Sequence, residues 1–201
     1  GETVAVKIKR PNIDPTIHAD LRILTHLAGL IESEIPESRR YQPVQMVQYF
    51  ARSLAKETDL SVELRYMQRF ENAFRDHDFI HIPKVYSEFS NRQMLVQEFV
   101  AGNLLQSTDL NALPETMRRQ LALRITDTLF TMILKQGFFH ADPHPGNIFI
   151  HDNGSITLID FGLVGHLSST RRREIIDLIN VSMHKHIKYI HSDITALLAI
   201  I

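Results

Sequence analysis

One segment in the second half of the sequence fits neither a helix nor a strand, and it constrains the fold more than any other. It spans residues 140–147 and reads His-Ala-Asp-Pro-His-Pro-Gly-Asn. Its two prolines lack the backbone N–H that a helix or sheet interior needs, so this segment must be a shaped loop. A long helical pattern precedes it, roughly from Pro114 to Gln136, and Gly137 ends that pattern. The sequence therefore holds a run of polar side chains between regular elements.

A β-hairpin is predicted directly after this loop, over residues 148–159. Asn153 and Gly154 lie between its two short apolar runs, and Asn-Gly favours a two-residue type I′ turn. With that turn, the pair at the open end of the hairpin is Asn147 with Asp160. The sequence thus predicts that an amide and a carboxylate lie side by side.

This predicted pair suits a divalent metal. Asp142 lies five residues before Asn147, at the head of the same loop, so a second carboxylate is close in sequence. Mg²⁺ prefers oxygen ligands and usually shares them with phosphates. Asp142, Asn147 and Asp160 therefore predict a metal–phosphate site.

The rest of the chain reads as a mixture of strands and helices. The order is strand, helices, hairpin, linker, helix, loop, hairpin and helix, which predicts an α+β fold with a mixed N-lobe over residues 1–100 and a mainly helical C-lobe over residues 101–201. The further predicted elements are a strand at 4–9, helices at about 17–31, 44–74 and 169–189, and a hairpin with strands at 84–89 and 94–100.

Composition excludes several classes of protein. The 201 residues carry a formal net charge of −1, so no global field points to nucleic acid as a partner. There are 0 cysteines, which excludes disulfides and cysteine-based zinc sites. No apolar run approaches the roughly 18–20 residues of a membrane span. We expect a folded domain, cut at both ends from a longer protein.

The spacing also resembles the protein-kinase signature, in which an Asp is followed five positions later by an Asn and then by Asp-Phe-Gly. This resemblance implies a bilobal kinase-like fold. Asp142 would orient or deprotonate the acceptor, and Asn147 and Asp160 would hold Mg²⁺ against the phosphates of ATP. Lys7, in Val-Ala-Val-Lys, would contact the α- and β-phosphates.

The same resemblance implies a hinge between the two lobes. Glu98-Phe99-Val100 forms the end of the second strand of the first hairpin, where backbone groups would meet the adenine edge. Each of these motifs is common by chance when it stands alone. Their joint occurrence, in this order and on these predicted elements, favours a nucleotide site.

Several segments resemble the UbiB family of atypical kinase-like proteins, and the resemblance covers nearly the whole chain. It implies that Glu57 and Asp59 are family-specific acids and that Glu63 pairs with Lys7. From spacing alone, an acidic solvent-exposed helix face is the favoured explanation of these three acids, and only the resemblance gives them a role. The matching segments are Val4–Pro11, His18–Leu21, Lys56–Glu63, His140–Asn147 and Leu158–Gly165.

Membership of this family implies binding of ATP or ADP with Mg²⁺, and ATPase or kinase activity that supports ubiquinone biosynthesis. It also implies work on a lipid or quinone-precursor small molecule, at a membrane surface or within a biosynthetic complex. A full-length bacterial member would lie at the cytoplasmic face of the inner membrane, and this excerpt by itself would be soluble.

Other functions stay open at this point. Aminoglycoside and choline phosphotransferases also use a His-x-Asp-x-His-x-x-Asn loop, which residues 140–147 satisfy. An ordinary protein kinase would need Ala-Pro-Glu after Asp160, which is missing here. His140 and His144 have the spacing of a zinc pair, although the prolines argue against the helix such a pair needs. A non-catalytic nucleotide-binding scaffold would share the same residues.

Overall fold

The computed structural model describes residues 1–186. Residues 187–201 lie outside the described part of the chain. They include His191 and the end of the helix predicted to reach Tyr189. The described elements are helices α1 to α5 and strands β1 to β8.

The helices are α1 (Ile13–Glu34), α2 (Pro43–Glu57), α3 (Leu60–Phe74), α4 (Glu115–Phe130) and α5 (Ser169–His186). The strands are β1 (Val4–Ile8), β2 (Ile80–His81), β3 (Met94–Glu98), β4 (Asn103–Leu104), β5 (Phe138–His140), β6 (Ile148–Ile150), β7 (Ile156–Leu158) and β8 (Val164–His166). A π-helical segment, Thr131–Gln136, continues α4 up to Gly137, whose φ of 71° ends the helix as predicted.

Three small sheets connect these elements. β1 pairs antiparallel with β3, which sets Lys7 opposite Leu95. A second sheet has the order β2-β7-β6-β4, and β5 pairs antiparallel with β8. The long-range pairing of β1 with β3 could not be read from the sequence, because strand partners distant in the chain leave no local signal. The mixture of helices and strands confirms the predicted α+β class, and the lobe boundary near residue 100 stays a prediction.

The helix predicted over residues 44–74 is wrong as a single element. It is broken at Thr58 and Asp59, and α3 starts anew at Leu60. The Asp59 carboxylate accepts hydrogen bonds from the backbone N–H and the hydroxyl of Ser61, at 3.0 and 2.6 Å. An aspartate that satisfies a free N–H in this way is a strong helix start. Asp59 therefore caps α3 and does not share a helical face with Glu63.

The predicted hairpin register is also wrong, by one residue. Ile148 lies opposite Leu158, and the backbone N–H of Ile159 donates to the carbonyl of Asn147 at 3.0 Å. The loop has three residues in place of two, and Gly154 adopts a φ of 75° at its end. Such a loop, a turn followed by a left-handed glycine, is the next most common hairpin connection. Asn147 therefore lies opposite Ile159, one residue before Asp160.

Two further boundaries differ from the prediction. The helix predicted at about 17–31 is longer, since α1 begins at Ile13, after Asn12 in the left-handed conformation; Asp14 in its first turn pairs with Lys9 at 2.6 Å. The strand predicted at 84–89 is reduced to a single bridge between Val85 and Gln97, followed by a 3₁₀ turn.

The core lies where α3 meets the small sheets. The rings of Phe70 and Phe161 are 4.6 Å apart, and Phe70 also contacts Phe138 at 4.7 Å. Met67, Phe70 and Phe161 are fully buried. Because Phe161 directly follows Asp160, this packing ties the Asp-Phe-Gly segment to α3. The position of α3 and that of Asp160 are therefore set by the same contacts.

A substitution at Gly165 would test the pairing of β5 with β8. A Cβ at this position would lie 2.2 Å from Cζ of Phe139, the residue opposite it in the register. We expect Gly165→Ala to destabilise the fold by about 1–3 kcal/mol, because the aromatic ring must move. Chemical denaturation measures the loss. Phe139→Leu should restore part of it in the double variant, and no interaction energy between the two changes would contradict the proposed contact.

Candidate active site

Three distant parts of the chain converge on the amino group of Lys7. Its Nζ donates to both carboxylate oxygens of Glu63, at 3.0 and 2.9 Å, and to Oδ1 of Asp160 at 3.0 Å. Glu63 lies 56 residues away in sequence and Asp160 lies 153 residues away. The structure thus brings together Lys7, Glu63 and Asp160, all three of which were proposed from motifs.

The surrounding elements explain why these side chains meet. β1 carries Lys7, and α3 presents Glu63 one turn before the fully buried Met67. Only 4% of the Glu63 side chain is exposed, whereas Lys7 and Asp160 are about half exposed, at 45% and 49%. A buried carboxylate needs a partner, since an unpaired charge in the interior is costly. Lys7 supplies that partner and lies between Glu63 and the open cleft.

The charges of the three groups depend on one another. Burial opposes the positive charge of Lys7, but the carboxylates of Glu63 and Asp160 outweigh it and raise the Lys7 pKa above 10.5. Burial also opposes ionisation of Asp160, yet hydrogen bonding and attraction to Lys7 hold the pKa of Asp160 below its usual value. For Glu63 burial prevails over the attraction of Lys7, and the pKa of this carboxyl is raised.

These shifts predict a pH dependence of stability. A lysine with a raised pKa in the folded state stabilises the fold fully below its unfolded-state pKa of 10.5 and loses that contribution as the pH rises through the folded pKa. We therefore expect the difference in free energy of unfolding between wild type and Lys7→Met to shrink above pH 10.5. Denaturant titrations across the alkaline range measure it. A difference that stays constant there would contradict the assignment.

Asp160 has an unusual backbone. Its φ is 59°, in the left-handed region that few non-glycine residues adopt. The backbone N–H of Gly162 donates to its carboxylate, and this bond helps to hold the pKa low. Phe161 is fully buried next to it. Strained backbone held by tight packing is typical of functional sites, and here it aims the Asp160 carboxylate at Lys7.

The loop that bears Asp142 is held from inside by His140. This histidine is 2% exposed; its Nδ1 accepts from the backbone N–H of Asp142 at 3.2 Å and its Nε2 lies 3.0 Å from the carbonyl of Ile159. An Nδ1 that accepts requires the hydrogen on Nε2, which then donates to Ile159. His140 therefore links the Asp142 loop to the strand end that precedes Asp160.

Asn147 closes the same loop. Its side-chain Nδ2 donates to the carbonyl of Asp142 at 3.1 Å, and its backbone N–H donates to the carbonyl of His144 at 2.7 Å. Neither of these bonds uses the side-chain oxygen Oδ1 of Asn147. Within residues 1–180, whose side chains the structure describes, the exposed Asp142 carboxylate has no hydrogen-bond partner. A carboxylate and an amide oxygen are thus both available to a ligand.

A zinc site at the two histidines does not fit this geometry. Both ring nitrogens of His140 are engaged, and Nδ1 of His144 accepts from the backbone N–H of Gly146 at 3.0 Å. Over the described part of the chain, no group of three or more His, Asp or Glu side chains is placed to hold a metal. His144 instead shapes the turn before Asn147.

Magnesium makes different demands, and the residues fit them. It is usually bound by one or two protein oxygens, with waters and substrate phosphates completing the shell, so no preformed protein cage is needed. The bond between Ile159 and Asn147 places Asn147 next to the segment that carries Asp160. Asp160 keeps a second carboxylate oxygen, Oδ2, beyond the one that binds Lys7. Asn147 and Asp160 are the residues that would hold the ion.

The predicted hinge lies at the end of β3. The Glu98 carboxylate contacts Nε2 of His81 at 2.9 Å and accepts from the backbone N–H of Lys84 at 3.0 Å, so this side chain braces the segment. The backbone N–H of Glu98 donates to the carbonyl of Lys84. By contrast, no acceptor for the backbone N–H of Val100 is found among residues 1–186. Phe99 likewise has no acceptor for its backbone N–H in this part of the chain, so Val100 is one of two hinge positions with a free backbone donor.

The two family-specific acids occupy the break between α2 and α3. Glu57 is the last residue of α2 and exposed, while Asp59 caps α3 and pairs with Nε of Arg92 at 3.0 Å. Hydrogen bonding by Ser61 and the nearby Arg92 outweigh burial and lower the pKa of Asp59. Asp59 thus fixes the start of the helix that bears Glu63.

Sequence reasoning missed two contributors to this arrangement. Arg92 anchors Asp59, and His140 organises the Asp142 loop. An arginine in a turn carries no signal of its distant partner. His140 offered one, since it lies at the end of an apolar strand immediately before a polar loop.

Known proteins share this sequence pattern. The sequence model of the ABC1 atypical kinase-like domain matches residues 1–193. The chain belongs to the ABC1 atypical kinase-like family. The resemblance to UbiB proteins is confirmed as well, since curated relatives of this chain carry that name. A probable protein kinase UbiB of Vibrio vulnificus is 34% identical over 179 residues, covering 86% of this chain and 32% of the relative.

Two other curated relatives are similar to this chain to a comparable degree. A probable protein kinase UbiB of Aliivibrio fischeri is 30% identical over 203 residues, covering 96% of this chain and 37% of that protein. One from Histophilus somni is 34% identical and covers 85% of this chain and 32% of that protein. This ABC1 domain therefore spans about a third of the length of the curated relatives that it matches.

A solved structure shows the same fold. Rv3197 of Mycobacterium tuberculosis, determined in complex with erythromycin, superimposes with a TM-score of 0.73 at 24% identity. The match covers 92% of this chain and 49% of that protein. It confirms the kinase-like α+β fold. Among the described residues of this ABC1 domain, no helix is long and apolar enough to cross a bilayer.

Proposed function

We propose that this domain binds Mg²⁺ and ATP and supports phosphoryl transfer or ATP hydrolysis in a UbiB-type protein of prenyl-quinone biosynthesis. The observation that carries the proposal is the position of Lys7, whose amino group lies between the buried Glu63 and the half-exposed Asp160. In kinases, a strand lysine paired with a helix glutamate holds the phosphates. A purely structural ion pair would not need Asp160 in a strained backbone beside it.

The remaining residues divide the chemistry between them. Asp142 has an exposed, unpartnered carboxylate within the described chain, and it would orient or deprotonate the acceptor. Val100 would donate its free backbone N–H to the adenine edge. When bound at Asn147 and Asp160, Mg²⁺ would neutralise phosphate charge.

The acceptor follows from the family and not from the geometry. The resemblance to UbiB proteins implies a lipid or quinone-precursor small molecule, handled at a membrane surface or within a biosynthetic complex. In the full-length protein this would place the domain at the cytoplasmic face of the inner membrane. Phosphate that appears on such an acceptor would distinguish a kinase from an ATPase.

Asp160→Asn tests the magnesium part of this proposal. We expect the wild-type full-length protein to bind ATP more tightly with Mg²⁺ than without it. In the variant this Mg²⁺ effect should fall by about tenfold or more, because the carboxylate that meets the metal becomes a neutral amide. Calorimetric titrations of ATP, with and without Mg²⁺, measure both affinities.

Asp152→Asn is the matched control, since Asp152 is exposed in the hairpin loop. Its Mg²⁺ dependence should equal that of the wild type. The proposal would be wrong if the wild type bound neither ATP nor ADP under either condition.

A further inference from the structure

His144 lies in the loop of Asp142, and the function proposed above gives its ring no task. Its backbone N–H donates to the carbonyl of Asp142 at 2.8 Å, and its carbonyl accepts from the backbone N–H of Asn147 at 2.7 Å. His144 is thus bonded to the residue proposed to handle the acceptor and to a residue proposed to hold Mg²⁺. Phosphoryl transfer would run between these two residues, since the attacking and leaving oxygens lie roughly in line across the phosphorus.

The backbone and the ring of His144 are both held in place. Pro145 disfavours helical backbone at the residue before it, and His144 has a φ of −64° and a ψ of 142°. Nδ1 of the ring accepts from the backbone N–H of Gly146 at 3.0 Å. A Cβ at Gly146 would lie only 3.0 Å from this nitrogen, so the glycine leaves room for the ring. A side chain held in this way is preorganised for a ligand.

The bond to Gly146 also decides which ring nitrogen of His144 carries the hydrogen. A nitrogen that accepts a hydrogen bond has no hydrogen, so in the neutral ring the hydrogen is on Nε2. His144 is exposed. Among residues 1–180, whose side chains the structure describes, no group lies within hydrogen-bond distance of Nε2. The ring therefore offers one N–H donor to a ligand.

The other side chains of this loop offer less. Residues 140–147 contain no lysine or arginine. Both ring nitrogens of His140 are engaged, and the amide nitrogen of Asn147 donates to the carbonyl of Asp142 at 3.1 Å. During phosphoryl transfer, negative charge spreads over the three oxygens of the moving group, and fixed donors that face these oxygens lower the barrier. The Nε2–H of His144 is the ring donor of this loop that is free to do so within the described chain.

We propose that His144 is a catalytic residue whose Nε2–H donates to an oxygen of the γ-phosphoryl group of ATP. The inference rests on the proposed function of the active site. In the reaction, the bond from the γ-phosphorus to the bridging oxygen breaks, and its electron pair leaves with ADP. The oxygen of the acceptor hydroxyl or of water forms the new bond to phosphorus, and its proton goes to Asp142. His144 exchanges no proton and stabilises the charge of the transition state.

Two substitutions of His144 separate the tasks of its two ring nitrogens. His144→Asn keeps an oxygen near the position of Nδ1, which can accept from Gly146, but it has no donor at the position of Nε2. His144→Gln places an amide N–H near Nε2 and loses the acceptor near Nδ1. In the full-length protein, we expect His144→Asn to lower phosphate release from ATP by about 10²-fold and His144→Gln to lower it by less than about tenfold.

A binding measurement tests the same contact without turnover. The complex of ADP, Mg²⁺ and aluminium fluoride imitates the phosphoryl group in transit, so a donor to that group should strengthen its binding. Calorimetry should show that His144→Asn binds this complex about 10²-fold more weakly than the wild type, with a nearly unchanged affinity for Mg²⁺-ATP. His26→Asn makes the same change at an exposed position of α1 and should match the wild type in both measurements.

The contrary results are distinguishable. Full turnover in His144→Asn would overturn the inference, since the bond from Gly146 would then suffice. An equal loss in the asparagine and glutamine variants would also contradict it, because the Nε2 donor would make no difference. If His144→Asn did not fold, a loss of 10²-fold or more in His144→Gln would decide against the inference. All these results leave the proposed function standing, whereas a wild type that binds neither ATP nor ADP would overturn both.

Discussion

Lys7→Met should lower nucleotide turnover by about 10²- to 10³-fold, the usual cost of removing one preorganised electrostatic group from an active site. The reason is that, within residues 1–180, the Lys7 amino group is the one cation in contact with both Glu63 and Asp160. Steady-state release of phosphate from ATP measures the effect. Lys135→Met makes the same chemical change at an exposed helical position and should retain full turnover.

The same variant also separates function from folding. Loss of Lys7 leaves Glu63 buried without a partner, which we expect to destabilise the fold by about 1–3 kcal/mol. Because Lys7 is half exposed, we expect a value near the lower end of this range. In Lys7→Met with Glu63→Gln, the buried charge is gone and most of this stability should return. Turnover should stay low. Recovery of turnover together with stability would show that Lys7 acts only through the fold.

Asp142→Asn should lower turnover by about 10²- to 10⁴-fold, the range for loss of a general base, and should leave the affinity for Mg²⁺-ATP nearly unchanged. Its carboxylate is exposed and unpartnered among the described residues, so the amide has no native contact to break. Turnover assays and calorimetry separate the two quantities.

The fold of this variant should be intact, with a free energy of unfolding within about 0.5 kcal/mol of wild type, as for most exposed substitutions. Asp152→Asn, also on an exposed loop, provides the reference for turnover. An Asp142→Asn protein that loses nucleotide affinity in proportion to turnover would place Asp142 in binding and not in the acceptor chemistry.

Much of the fold could be predicted because its signals are local. Gly137 ends the long helix where expected, and the prolines at 143 and 145 enforce the loop that carries Asp142. The predictions were wrong at two places where the local sequence is compatible with two different backbone conformations. Asn-Gly is compatible with a two- or a three-residue loop, and Asp59 is compatible with a helix interior or a helix start. In both cases contacts made elsewhere in the chain selected the outcome.

In the candidate site, too, some features could be predicted from local sequence and others depended on distant contacts. Motif spacing indicated Asp142, Asn147 and Asp160 as a group, but the predicted cross-strand pair of Asn147 and Asp160 was wrong by one residue. Asp160 instead leaves the strand with a φ of 59° and reaches Lys7. A backbone conformation of this kind depends on the burial of Phe161 against α3, and no local pattern records that packing.

The sequence by itself determined which residues form the candidate site, because the spacing in the proline-rich loop and the Asp-Phe-Gly segment depends on neighbours along the chain. The tertiary structure alone decided how they meet. Lys7, Glu63 and Asp160 come from a strand, a helix and a loop separated by up to 153 residues. The contact of Arg92 with Asp59 likewise became visible only in three dimensions. Contacts over such distances arise from the packing of complete elements, so the proline-rich loop predicts the site while α3 and β1 assemble it.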